Sequence, residues 1–320
     1  MIDMSLIDGL SIQISQMLLV LVLAPLLTGL VRKVKARLQR RQGPPLLQPY
    51  RDLIRLVRKE AIVAESASWL FRIVPYIVFA ATWVAAALVP TFATGLLFSW
   101  SADLMVIIAL LGSARFVLAL AGMDVGTSFG GIGSSREAMI ATLAEPALIM
   151  IVFTIALVAG STQLSTVANV MLAGVGLRVS LGMALIALII VAIAENGRIP
   201  VDNPATHLEL TMVHEAMILE YSGRHLALIE FASSIKLLLY ASLIACVFVP
   251  WGLAPAGAPL HVHLIGVAAY AAKLGVAGIL LAIFETMIAK MRVFRVPDLL
   301  GAALMLGFLG TLLRFVSRGL

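Results

Sequence analysis

Seven ionisable residues stand inside, or at the edges of, long apolar runs: Arg115, Glu137, Glu145, Glu195, Lys236, Lys273 and Glu285. A charged side chain at a bilayer centre is unfavourable by about 2.5–3.5 kcal/mol on insertion scales, so a chain that keeps several must neutralise, pair or hydrate them. Two chemistries meet that demand. The groups form buried ion pairs that hold helices together, or they line a proton or cation path. Glu145, Lys236, Lys273 and Glu285 lie deepest in their runs, and Pro146 beside Glu145 frees a backbone carbonyl for an added hydrogen bond. Arg136 lies nine residues before Glu145, about two and a half helical turns, and shares its face only loosely.

A second concentration of polar groups lies between 194 and 230, in AENGRIPVDNPATHLELTMVHEAMILEYSGRHLALIE. Asn203 before Pro204 reads as an N-cap and first turn, which predicts a helix to about Tyr221, stopped by Ser222-Gly223. His207 and His214 share a face of that helix, and Glu209, Glu215 and Glu220 are distributed around it. A histidine–carboxylate set invites a metal, but no second histidine follows four residues after the first, as the HExxH pattern requires, so no metal site is assigned. Such a segment serves as a solvated helix, a docking surface, or a proton entrance whose imidazole and carboxylate groups exchange protons near neutral pH. No catalytic residue is assigned. The single cysteine, Cys246, lies in an apolar run and supplies neither a disulfide framework nor a cluster-binding pattern.

The elements that position these groups follow from composition. The chain has 320 residues, 61% of them hydrophobic and 12% charged, with a mean hydropathy of +1.05. A water-soluble domain carries about twice that charge fraction. The implied fold is all-α: a polytopic integral membrane bundle of about eight transmembrane helices in one domain over 1–320. Spans are expected at 10–31, 73–94, 101–121, 138–160, 177–195, 231–252, 263–286 and 298–316, each with about 20 predominantly apolar residues. The net charge of +6 does not indicate nucleic acid, because the basic residues cluster between apolar runs. Most of the 23 Lys and Arg residues fall in 32–72, 122–137, 196–230 and 287–297, whereas 95–100, 161–176 and 253–262 contain none. That asymmetry predicts cytoplasmic charged loops and both termini outside.

The first long cytoplasmic loop, 32–72, includes RLQRRQGPPLLQPYRDLIRLVRKE at 37–60. After Gly43-Pro44-Pro45, the residues Leu46, Tyr50, Leu53 or Ile54, and Val57 recur at helical spacing, with Arg51, Arg55, Arg58 and Lys59 largely opposite. This predicts an amphipathic helix lying in the membrane interface. It either orients the protein or offers a surface to a partner.

These segments resemble a known family. Residues 37–60 look like the R-x-GP … LQP … D-x-x-K-L signature of the subunit 1 family of respiratory complex I, which includes a membrane subunit of group 4 membrane-bound nickel–iron hydrogenases. GIGSSREAM (131–139), LAEP (143–146) and NPATHLELTMVHEAMILEYSG (203–223) are similar to the hydrogenase branch, of the formate hydrogenlyase and hydrogenase-4 type, and the resemblance extends to KMRVFRVPDLLG (290–301). It implies a non-catalytic subunit in a bacterial or archaeal cytoplasmic membrane, set between a cytoplasmic redox arm and antiporter-like pumping subunits. Its implied partners are hydrogenase large and small subunits, a ferredoxin-like iron–sulfur subunit, the antiporter-like subunits and lipid. Nickel–iron and iron–sulfur centres would sit in those partners, and no cofactor in this chain.

By the resemblance, Arg136 and Glu145 match a family arginine and membrane glutamate, while Asp202, Glu209 and Glu220 match acidic loop positions. Glu195, Lys236, Lys273, Glu285, His207 and His214 complete the expected ion path. Arg41, Gly43 and Pro44 match the first-loop signature and, with Tyr50, Arg51, Asp52, Tyr221 and Arg224, form the expected docking surface for the arm. The quinone-reducing branch carries glutamates where this chain has Ala205 and His207, a departure that argues against quinone. The alternatives are a quinone-site subunit of a complex I-like oxidoreductase, a stand-alone ion transporter and a structural anchor.

Overall fold

In a computed structural model the chain is described at residues 4–174, 178–202, 212–255, 257–289, 291 and 295–319. Helices account for about three quarters of it: α1 (Met4–Leu38), α2 (Gln48–Val57), α3 (Trp69–Leu88), α4 (Leu104–Asp124), α5 (Ser128–Ala159), α6 (Leu164–Leu172), α7 (Val179–Glu195), α8 (His214–Ile218), α9 (Gly223–Phe248), α10 (Leu260–Met287) and α11 (Val296–Gly319). Among the described residues, seven of these are long and apolar enough to cross a bilayer: α1, α3, α4, α5, α9, α10 and α11. The eighth apolar helix, α7, has 17 residues. At 1.5 Å per residue it is about 25 Å long, slightly short of a hydrocarbon core of about 30 Å.

Local chemistry sets several boundaries. Ser68, Asp103 and Thr127 stand at the N-caps of α3, α4 and α5 and accept hydrogen bonds from the first-turn amides of Leu70, Met105 and Gly130. Asp103 also accepts a hydrogen bond from the Thr162 hydroxyl, which ties the start of α4 to the α5–α6 connection. Gly160 closes α5 in the left-handed conformation. Pro25, Pro75 and Pro146 lie inside helices, as membrane spans tolerate.

The helices form one packed bundle. α9 is the most enclosed of the long spans and α10 and α11 the least. α1 and α10 pack together at one end, α5, α7 and α11 at the other, and α3 and α4 lie between them against α9 and α5. Thr154 of α5 and Thr311 of α11 hydrogen-bond at 2.8 Å, a polar seam between two otherwise apolar helices.

The described structure departs from the sequence-based expectations in three places. The stretch 122–137 is not all loop: α5 starts at Ser128, so Arg136 and Glu137 are helical residues. Thr127 supplies the cap and nothing in 128–137 breaks a helix that small residues favour at close packing. The segment 161–176 carries a short helix, α6. In the second long loop no continuous helix reaches Tyr221, since Met212 and Val213 are non-helical and α8 covers only His214–Ile218. Ser222-Gly223 then opens α9 rather than ending a helix. His207 and Glu209 lie outside the described residues.

Candidate functional site

Among the described residues, the ionisable groups of the spans meet in more than one place. They divide into two clusters and some isolated groups. The larger cluster centres on Arg115 of α4, whose guanidinium bridges Glu195, the last residue of α7, and Glu145 of α5 at 2.7 Å. Lys236 of α9 reaches the other Glu195 oxygen at 2.9 Å. Four helices therefore meet through one arginine and one glutamate. The Glu195 side chain is 1% exposed, whereas that of Glu145 is 45% exposed, so the cluster runs from the bundle core to its surface. Gly112 leaves the room for this: a Cβ there would sit 3.3 Å from Glu145 Oε1.

Beside the cluster is a cavity of about 50 Å³, lined by Arg115, Glu137, Glu195, Asn196, His214 and Lys236 among others. It has room for a few waters. Its volume is about a third of the roughly 150 Å³ cavity that takes up a benzene ring. Buried Glu137 on α5 adds a third carboxylate. Arg115 and Glu137 were legible as charges in apolar runs, but only the folded arrangement makes Arg115 the hub.

The imidazole of His214 faces the same cavity, and its pKa falls to about 4 because burial, and then the Lys236 charge, oppose protonation, with Asp202 acting weakly the other way. His214 thus takes up a proton less readily than a free imidazole. The unfolded chain takes up this proton near pH 6.5 and the folded chain only near pH 4, so folding stability falls as pH drops through that window. We expect H214Q to lose less thermal stability than the parent between pH 7 and pH 5; equal losses would show that His214 is not the group responsible.

The second cluster centres on Glu285 of α10, a side chain only 3% exposed. It receives Lys35 of α1 at 2.9 Å and Arg198 of the segment after α7 at 3.3 Å. Burial pulls the Arg198 pKa down, Glu285 acts against that, and nearby Arg32 adds to it. The same segment is fastened further along. Arg136 donates to the Met212 carbonyl at 2.7 Å, Asp202 accepts from the Val213 amide at 3.3 Å, and the Met291 amide donates to the Pro200 carbonyl at 2.8 Å. Arg136 therefore holds the loop and does not pair with Glu145.

Lys273 stands apart, donating to the Val249 carbonyl at the end of α9 at 2.6 Å. Between Lys236 and that point lie thirteen residues of helix, about 20 Å, so Lys273 does not extend the cluster. Glu220 makes no ion pair among the described residues.

The Glu220-Tyr221-Ser222-Gly223 element acts as a clasp between the two long loops. The Tyr221 ring stacks on Phe71 at 3.9 Å between centroids, and its hydroxyl donates to the Phe71 carbonyl at 3.1 Å. Burial raises its pKa. The Ser222 hydroxyl accepts from the Ile62 amide and donates to the Ile62 carbonyl, both at 2.8 Å. Gly223 has φ +54, and a Cβ there would lie 2.4 Å from the Glu60 carbonyl oxygen. G223A is therefore expected to destabilise by about 1–3 kcal/mol through backbone strain alone, with the clash added. A thermal unfolding midpoint within one degree of the parent would contradict this reading of the clasp.

The docking candidates split in the same way. The half-buried Tyr50 donates its hydroxyl to the Val22 carbonyl of α1, and Tyr221 is buried. Asp52 is engaged inside α2, accepting from Gln48 at 3.0 Å and pairing with Arg55 at 3.3 Å. Arg41, Gly43, Arg51 and Arg224 are exposed, and Pro44 is half-buried beside them. Among the described residues no group of three or more His, Cys, Asp or Glu is placed to hold a metal ion.

Comparison with known proteins agrees with this architecture. The NADH dehydrogenase family matches residues 11–314. The chain is 33% identical over 306 residues to formate hydrogenlyase subunit 4 of Escherichia coli, covering 94% of this chain and 96% of that protein. It is 35% identical over 239 residues to hydrogenase-4 component C of the same organism, 75% of each chain. NADH-ubiquinone oxidoreductase chain 1 of Triticum aestivum is 29% identical over 238 residues, 70% of this chain and 72% of that one. A chain of the membrane-bound sulfane sulfur reductase, an archaeal respiratory membrane complex, shares the fold with a TM-score of 0.80 at 20% identity, over 97% of this chain and 99% of that one.

Proposed function

Because this chain belongs to the NADH dehydrogenase family, the subunit 1 family of complex I, we propose that it is the membrane anchor and coupling subunit of an energy-converting complex of the formate hydrogenlyase or hydrogenase-4 kind. The observation that carries this reading is the Arg115 cluster and its link to the cytoplasmic side. Three carboxylates, Glu137, Glu145 and Glu195, face two cations, Arg115 and Lys236. With every group ionised the cluster holds one net negative charge, which a proton or a sodium ion would neutralise.

The loop that follows Glu195 is tied to Glu285 through Arg198, to α5 through Arg136, and to itself through Asp202. A displacement imposed on that loop by a docked arm would reach Asn196, His214 and Glu195 within the same cavity. In this reading the redox step occurs in hydrogenase large and small subunits and a ferredoxin-like iron–sulfur subunit, whose centres lie outside this chain. The arm rests on Arg41, Gly43, Arg51 and Arg224. The half-exposed Glu145 passes charge toward antiporter-like subunits. The complex sits in a prokaryotic cytoplasmic membrane with both termini of this chain outside.

A quinone-reducing role is the competing reading, and the small charged cavity speaks against it. Purification of the detergent-extracted complex through a tag on this chain tests the assignment. Nickel, iron and hydrogen-evolving activity are expected in the same fraction. A nickel-free fraction that reduces quinone would overturn it.

A further inference from the structure

Among the buried polar groups with no hydrogen-bond partner in the described residues, one stands beside the larger cluster. Tyr240 lies on α9 four residues after Lys236, hence on the same face, and its side chain is 1% exposed. Its hydroxyl is fully enclosed and makes no hydrogen bond among the described residues. Buried hydroxyls are ordinarily satisfied, so an orphan here calls for an explanation. The ring lines a second cavity, of about 20 Å³, walled by Leu104, Leu111, Ile151, Leu188, Leu243 and other aliphatic side chains.

The two cavities are neighbours. Leu111 lines both, and Arg115 follows Leu111 by one turn of α4. From the charged cavity, the second one leads toward the Leu104 end of α4, away from the 196–223 segment. A space of that size is just able to hold a water, which needs roughly 10–15 Å³. A buried water also needs two to four polar partners, and here the only polar side chain is Tyr240. The lining of the second cavity thus offers a water one side-chain partner fewer than the two it needs.

We propose that Leu111 and Tyr240 form a hydration gate. The aliphatic wall interrupts the chain of hydrogen-bonded groups that begins at Glu195, and the Tyr240 hydroxyl is the first group to bind water when the wall parts. A proton crossing the gate would hop through that hydroxyl, which accepts one proton and releases its own, so no charge is left on the ring. The gate keeps an assembled subunit from leaking protons when its redox partner is idle. The relay step rests on the coupling function above, but the barrier itself does not.

The test is passive proton conductance of the purified complex in liposomes, followed with an internal pH-sensitive dye and no redox substrate. Leu111→Asn supplies the second partner for a water, and a rise of about five- to ten-fold is expected, the worth of one added buried hydrogen bond. Leu111→Met, equally large and apolar, stays at the parent value. Leu111→Asn combined with Tyr240→Phe returns toward it, because the water loses its anchor. Ile151→Thr makes the same test from another wall should Leu111→Asn fail to assemble. Conductance at the parent level in both polar variants, or an equal rise in Leu111→Met, overturns the gate. Because no turnover is involved, that failure is distinct from failure of the coupling reading.

Discussion

Arg115→Ala is expected to be the most damaging single change in the membrane bundle, at about 3–5 kcal/mol, because it strands two carboxylates in a medium that cannot solvate them. One guanidinium reaches Glu195 on α7 and Glu145 on α5 from α4, so three helices lose their common partner. Arg115→Lys is expected to fall between the two extremes. An ammonium keeps the charge but lacks the planar fork that spans two carboxylates on different helices. Thermal unfolding of the solubilised complex ranks the three proteins. Arg115→Ala within about 1 kcal/mol of the parent, the range of an exposed pair, would show that the bridge is not the buried hub described here.

The Glu195–Lys236 pair gives the second large effect. Their contact is 2.9 Å, with the carboxylate 1% and the ammonium 18% exposed. Glu195→Gln leaves Lys236 without its counter-ion, and Lys236→Met leaves Glu195 with Arg115 alone. Each is expected to cost several kcal/mol, and the double variant less than the sum, by about 0.5–3 kcal/mol of interaction energy. Strict additivity in the cycle would mean that the two groups titrate independently and that the cluster is not one unit.

The bundle was legible because lipid imposes a simple rule: about 20 apolar residues, no unsatisfied backbone and basic loops on one side. The amphipathic α2 was equally legible, since Tyr50 and Val57 recur at helical spacing while Arg51, Arg55 and Arg58 do not join them. The charges in the spans were visible too, but not their pairing. Arg136 and Glu145 are near in the chain yet serve different ends, one holding the Met212 carbonyl and the other Arg115. Helical periodicity relates residues on one helix, whereas the Arg115 cluster draws on four. Ser222-Gly223 was misleading for a related reason. A positive-φ glycine marks a helix end, and here that end is the start of α9, set by the approach of the Glu60 carbonyl. The orphan hydroxyl of Tyr240 leaves no trace in the sequence, because only packing decides that no described residue stands within hydrogen-bond reach of it.

In the proposed function the Arg115 cluster couples redox work to ion movement. The most direct test of that coupling is the number of ions moved per electron transferred, measured in sealed vesicles carrying the complex with Glu195→Gln or Glu145→Gln. Redox turnover is expected to persist while ion movement falls by about 10²-fold, the scale of losing one proton-transfer group. A parent ratio of ions to electrons in both variants would contradict it.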